Sequence, residues 1–275
     1  MRHVKHIALF ILLLLVIGSC KKENYDINNL NNNKIGIIGH GGMGEGNNYP
    51  INSQESILKC LNLGATGCEI DIQMTKDCVL VAFHDEQLNG YTNNTGRVYD
   101  LTWNEIRNTT YSGPLYSKYK VVPLVAIFDE IDTPQQYTYF FDCKNFDQDI
   151  SAVYVNTFNN ALLSLINQYS ISNNVNLEFK KTEFFNDMQQ KRPDLKLFVN
   201  SDFNQGIEIA EQWGLTGISI NSKNITFDQV SAAHEHGIMI ASWGVDSKEK
   251  NLENIKKNVD FIQTDRLKHL IKILK

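Results

Sequence analysis

The 275-residue chain lacks any apolar run long enough to cross a membrane as a helix. Its N-terminal apolar stretch, Ile7 to Ile17, is about half of the roughly 20 residues a spanning helix needs. Positive charge is also in short supply. There are 26 Lys and Arg against 31 Asp and Glu, a net charge of −5, which argues against a nucleic-acid partner because phosphate backbones select basic surfaces. Cysteine is sparse, and Cys60, Cys68, Cys78 and Cys143 have no metal-finger spacing, so they read as free, buried thiols. No internal repeat and no second-domain linker interrupts the chain, and one folded domain is the simplest organisation.

What is present begins with an export signal. Arg2 and Lys5 precede the apolar run, and Ile17-Gly18-Ser19-Cys20 closes it with small residues before a cysteine. Residues 1–19 therefore read as a lipoprotein signal peptide. Cys20 becomes the lipidated first residue, with 20–33 a flexible, Asn-rich tether and 34–275 the folded domain. Loss of Arg2 and Lys5 takes the net charge from −5 to −7. The expected location is the bacterial cell envelope, lipid-anchored through Cys20 on the outer membrane's periplasmic or surface side, as a monomer.

Apolar runs alternate with helix-like segments from Ile35 onward, the pattern of parallel β/α units. Candidate strands are 35–39, 68–72, 79–83, 137–142, 175–179, 195–199, 217–220, 238–242 and 260–263. A parallel return needs a crossover of roughly a dozen residues, and the gap between Ile72 and Val79 is too short, so the Val79 strand must return antiparallel. The fold expected is an α/β TIM (β/α)8 barrel with an extra β-hairpin after strand two. The hairpin would carry His84 back toward the barrel mouth.

Catalytic groups of such barrels sit at the C-terminal strand ends. His40 follows strand one, Glu69 and Asp71 end strand two, and Asp142 with Lys144 end the next. Strand alternation puts Glu69 and Asp71 on one face, where two carboxylates can share a divalent cation. With His40 and His84 to move protons, this is the minimum set for breaking a phosphodiester at neutral pH. Glu69 and Asp71 facing inward would turn Cys68 and Ile70 into the helix layer, and Cys143 likewise. His234, His236 and His269 read as solvent-facing helix residues.

Gly39-His40-Gly41-Gly42, Gln54-Glu55-Ser56, Gly64-Ala65 through Cys68-Glu69-Ile70-Asp71 to Thr75-Lys76-Asp77, and Val81-Ala82-Phe83-His84-Asp85 keep an order and spacing that resembles the glycerophosphodiester phosphodiesterase family. Weaker echoes at Phe141-Asp142-Cys143-Lys144, Trp243-Gly244 and Thr264-Asp265 extend the resemblance over residues 34–270. It implies metal-dependent hydrolysis of a small phosphodiester, a glycerophosphodiester, to an alcohol and glycerol phosphate. Glu69, Asp71 and Asp142 would hold one Ca²⁺ or Mg²⁺, and Lys144 would face the phosphoryl group. His40 would be base and His84 acid, with the roles open to exchange. Glu55, in the Glu-Asn-Thr position, would orient His40 or a metal-bound water, and Trp243 would wall the substrate.

Departures leave other readings open. Gly41 and Gly90 stand where the family carries Arg, and Ala126 where it carries Glu. Either Lys144 carries the phosphate alone or a larger headgroup fills a gap at Gly41. Asp142 in place of the usual Glu is similar to the sphingomyelinase D phospholipases, an alternative function. A non-catalytic binding lipoprotein is the other.

Overall fold

In the computed structural model the described residues are 25–146 and 150–275; the expected signal peptide and Cys20 lie outside them. Ten strands form: β1 Gly36–Gly39, β2 Gly67–Met74, β3 Leu80–Ala82, β4 Val122–Pro123, β5 Thr138–Cys143, β6 Val175–Phe179, β7 Lys196–Asn200, β8 Gly217–Asn221, β9 Met239–Val245 and β10 Phe261–Thr264. The parallel strands run in the order β1-β10-β9-β8-β7-β6-β5-β2, and β1 pairs with β2 to close a TIM barrel. The expected hairpin is there, with Ile72 opposite Ala82 and Met74 opposite Leu80 in antiparallel pairing. The short β4, not foreseen from the sequence, extends it by pairing with β3.

Helices α1 Gln54–Asn62, α2 Trp103–Ile106, α3 Leu124–Asp129, α4 Ala152–Gln168, α5 Glu183–Lys191, α6 Phe203–Trp213, α7 Phe227–Glu235, α8 Lys248–Lys256 and α9 Leu267–Leu274 occupy the connections. None of the described helices is long and apolar enough to cross a membrane. Side-chain caps mark several starts; Ser53 accepts the Ser56 amide at α1 and Asp202 the Gln205 amide at α6.

Strand alternation sorts side chains into two cores. Cys68, Ile70 and Cys143 face the helix layer as expected, together with Tyr139 and Phe141. Ile38, Phe140, Phe198, Ala241 and Phe261 fill the barrel interior, where Phe140 packs 4.9 Å from Phe261 and 5.4 Å from Phe198. Each buried ring contributes about 1.5–3 kcal/mol by leaving water. On this apolar plug rests a polar layer: β2, β5 and β6 align Asp71 with Asp142 and Asp142 with Glu178. The plug is apolar packing, and the acids above it line the cavity at the mouth.

Three expectations change. Residues 29–33 dock on the barrel floor instead of trailing as tether. Asn29 Nδ2 donates to the Val259 and Lys34 carbonyls, and the Asn31 amide donates to Asp260 Oδ1. Asparagine reads as linker in composition yet satisfies strand-end backbone groups in place of a turn. His234 is not solvent-facing; its Nε2 lies 2.9 Å from the buried Asp260 carboxylate, which also accepts the Ile240 amide. Cys78 is free but exposed, because it sits at the hairpin turn with φ +66°, whereas Cys60, Cys68 and Cys143 are free and buried.

Candidate active site

A cavity of about 330 Å³ opens at the C-terminal strand ends and is lined by His40, Glu69, Asp71, His84, Asp142, Lys144 and Trp243 among others. One oxygen each from Glu69, Asp71 and Asp142 lies within 4.8 Å of the others, and all three residues are buried. Glu69 Oε2 accepts the Gly41 amide at 2.8 Å, while its Oε1 is buried with no partner among the described residues. An unpartnered buried carboxylate oxygen costs free energy unless something positive meets it. The three-carboxylate donor set suits a hard divalent cation. These residues fit a metal ion.

Lys144 spans the same cluster, 2.9 Å from Asp71 and 2.6 Å from Asp142. The carboxyls respond differently to their surroundings. Burial first, and then the Asp71 charge, push Glu69 well above the usual carboxylate range. Burial pushes Asp71 up as well, but Lys144, His84 and His40 outweigh it and hold it at about 2.

His40 follows β1, and its Nδ1 lies 2.7 Å from Asp265 Oδ1. Burial lowers its proton affinity, yet the Asp265 hydrogen bond and the charges of Glu69, Asp265 and Asp71 raise it to about 10. His84 reaches the cavity from the hairpin, as the antiparallel return requires, with Nδ1 3.2 Å from Asp85 Oδ1. Buried Gln73 holds this loop from both sides of His84 by donating Nε2 to the Phe83 and Asp85 carbonyls, each at 2.9 Å. The Phe83 amide adds a bond to the Asp71 carbonyl. Position of the histidine and position of the acid are therefore linked through β2.

Glu55 is a correction. It is exposed in the first turn of α1 and does not line the cavity. Its expected place is taken by Asn52, whose Nδ2 donates to Asp71 Oδ2 at 2.6 Å and whose Oδ1 accepts the Asp71 amide at 3.0 Å. Asn52 and the capping Ser53 supply the Asn-Thr pair of the family pattern, which leaves Ile51 at the Glu position. There is also no gap at Gly41. A Cβ there would stand 2.5 Å from the Ile51 Cβ, on a backbone with φ +50°. Ile51 packs directly over Gly41, the position where an Arg was expected.

Trp243 lines the cavity as expected, and its buried indole N–H has no partner among the described residues. Residues that sequence reasoning missed are Asn52, Asp265, Glu178, Gln263 and Lys180. Glu178 accepts from Gln263 Nε2 at 2.7 Å. Burial, then the Asp142 charge, lift it to about 8. Lys180 is exposed on the same cavity and adds a second cation beside Lys144. Asp265 was within reach, since it directly follows the last barrel strand.

The chain resembles known proteins along most of its length. It is 26% identical over 248 residues to a glycerophosphodiester phosphodiesterase of Caldanaerobacter subterraneus, covering 87% of this chain and 97% of that one. A crystal structure of a glycerophosphodiester phosphodiesterase from Parabacteroides distasonis superposes with TM-score 0.73 at 20% identity, covering 88% of this chain and 98% of that chain. An Oleispira antarctica phosphodiesterase solved with its product sn-glycerol-3-phosphate superposes with TM-score 0.77 at 16% identity, over 90% and 99% of the two chains. The profile of the glycerophosphoryl diester phosphodiesterase family matches residues 43–269, from just past His40 into the last helix, and by that match the chain belongs to this family.

Proposed function

We propose that the chain hydrolyses glycerophosphodiesters to glycerol phosphate and an alcohol, with a divalent cation held by Glu69, Asp71 and Asp142. The observation that carries it is the buried, unpartnered Glu69 Oε1 inside a three-carboxylate cluster at the mouth of this family's barrel. The product found in the Oleispira relative is the glycerol phosphate expected from such a cleavage. The ion is Ca²⁺ or Mg²⁺; when bound, it supplies charge to a non-bridging phosphate oxygen as negative charge grows there.

The chain's own groups do the rest. Asp265 engages His40 Nδ1 and so leaves Nε2 to take a proton from the water that attacks phosphorus as the alcohol departs, stabilising the imidazolium that forms. A cation held by Glu69 and Asp71 would oppose a proton on His40, whose affinity those two acids otherwise raise. His84, with Nδ1 near Asp85, gives a proton to the departing alcohol. Lys144 and Lys180 place positive charge on the cavity beside the phosphoryl group, and Trp243 offers an indole face and an N–H to the glycerol side.

Two measurements test this reading. General acid–base groups typically contribute about 10²–10⁴-fold, so His40→Ala and His84→Ala should each lose most turnover on alkyl esters. An ester of p-nitrophenol, whose anion departs without a proton, should rescue His84→Ala but not His40→Ala; rescue of neither, or of His40→Ala alone, removes the assignment. For the metal, saturation at about a hundredfold over Kd stabilises by about 2.7 kcal/mol, which raises Tm by roughly 5–10 °C for a domain this size. Equal melting midpoints in Ca²⁺, Mg²⁺ and EDTA would count against the site.

Lipidation of Cys20 belongs to the same proposal. Because residues 29–33 dock on the floor, an anchored chain would turn its mouth away from the membrane, which supports a water-soluble, deacylated substrate. Radiolabelled palmitate incorporated into the full chain, and lost in Cys20→Ala, is the expected result.

A further inference from the structure

The metal cluster lies on β2 and β5, and His84 arrives from the hairpin beside β2. An alcohol protonated by His84 departs on that side, toward a tyrosine-lined cavity of residues 45–51, 83–91 and 111–116 that shares His84 with the active site. The part of the substrate that stays on phosphorus then lies over β6, β9 and β10, where Glu178, Trp243 and Gln263 line the cavity. β6 and β10 stand opposite one another in the eight-strand ring, so the 2.7 Å hydrogen bond from Gln263 Nε2 to Glu178 Oε1 crosses the bore. Gln263 is two residues beyond Phe261 on β10, and Glu178 pairs with Asp142, two residues beyond Phe140 on β5. The bridge is therefore a buried polar floor resting on the aromatic plug.

We propose that Glu178 is a specificity-determining residue, whose carboxyl receives a free hydroxyl of the alcohol that stays on phosphorus. The inference rests on the phosphodiesterase reading above and deepens it. A buried carboxyl over an apolar plug costs desolvation that an apolar pair in the same place would not. The cation does not account for it, because Glu178 stands outside the three-carboxylate group that fits the metal. The bridge to Gln263 engages Oε1, and the side chain borders the cavity, which puts the carboxyl within reach of a ligand. A hydroxyl both donates and accepts, so it suits this carboxyl with or without a proton. On β9 the buried Trp243 N–H has no partner among the described residues and supplies the complementary donor. An acceptor and a donor on one side of the cavity match the two free hydroxyls of a retained glycerol, and an alcohol lacking them leaves both groups unpaired.

The test holds the leaving group constant and varies what stays on phosphorus, using the p-nitrophenyl esters of glycerol phosphate and of propyl phosphate. A hydrogen bond to a charged group predicts a preference of about ten- to a hundredfold in kcat/KM for the glycerol ester. Glu178→Met keeps side-chain bulk and removes the acceptor, so that ratio should fall severalfold. Glu178→Asp keeps the carboxyl but withdraws it by one methylene; it should narrow the ratio too, and it carries the test if Glu178→Met does not fold. A purely structural role for Glu178 lowers both esters alike, so a ratio unchanged in either folded variant overturns the inference. Equal rates for the two esters in the native chain overturn it without any variant, while the phosphodiesterase reading stands. Failure to cleave either ester overturns that reading and this inference with it. Binding gives a check without turnover: glycerol phosphate should raise the native melting midpoint more than propyl phosphate at the same concentration, and equal shifts overturn the proposal.

Discussion

At the scale of single residues, the site is governed by what each charged group is paired with. His40 shows this most clearly, because its proton affinity is raised from 6.5 to about 10 by Asp265 and the acids around it, against the opposing effect of burial. A folded-state value above the unfolded one means the contribution to stability is fully present below pH 6.5 and is lost as pH climbs through about 10. In EDTA, the melting midpoint of the native chain should therefore fall over that window more than that of Asp265→Asn, whose histidine loses its strongest partner. Parallel melting curves across pH for the two proteins would show that the His40–Asp265 pair is not the source. The Gly41–Ile51 contact makes a different point: with Ile51 packed against it and φ at +50°, position 41 has no room for a side chain.

At the scale of elements, the β2–β3 hairpin does the positioning. Its short turn forces the antiparallel return, β3 pairs back along β2, and Gln73 on β2 clamps the carbonyls on both sides of His84. Replacing Gln73 by methionine keeps side-chain volume and removes both donors. Turnover should fall by up to about a hundredfold, because a displaced catalytic group of even 1 Å costs that much. The rise in melting midpoint on adding metal should survive, since Glu69, Asp71 and Asp142 keep their strands. Loss of the metal response together with kcat would place Gln73 in the cation site instead of the histidine loop.

For the whole molecule, the barrel separates floor from mouth. The floor carries the docked N-terminal segment, with Asn29 making two side-chain hydrogen bonds and Asn31 bonding to Asp260. Each such bond is worth about 0.5–1.5 kcal/mol net, and each kcal/mol moves Tm by roughly 2–4 °C at this chain length. A chain beginning at Lys34 should melt several degrees below one beginning at Tyr25 while hydrolysing substrate with the same kcat/KM. Identical melting would mean the segment is not docked in solution; a loss of activity would mean floor and mouth are coupled.

Much of this was legible in the residues themselves. Local alternation and the short 72–79 gap determine eight parallel strands plus one hairpin, because strand period and crossover length are properties of a few consecutive residues. Asp142, Lys144, His40 and His84 could be placed at the mouth for the same reason, since each lies at or just past the end of its strand, and Glu69 and Asp71 share one face of β2, which runs on to Met74. Glu55 could not be judged this way, since a three-residue offset between Glu55 and Asn52 is invisible until α1 is capped at Ser53 and one of the two residues faces Asp71. Asp265 meets His40, and Gln263 meets Glu178, across the closed barrel, between strands far apart in the chain. The tyrosine cavity likewise joins residues 45–51, 83–91 and 111–116. Such meetings depend on barrel closure and on how the hairpin folds over its rim, and only the tertiary structure decides them.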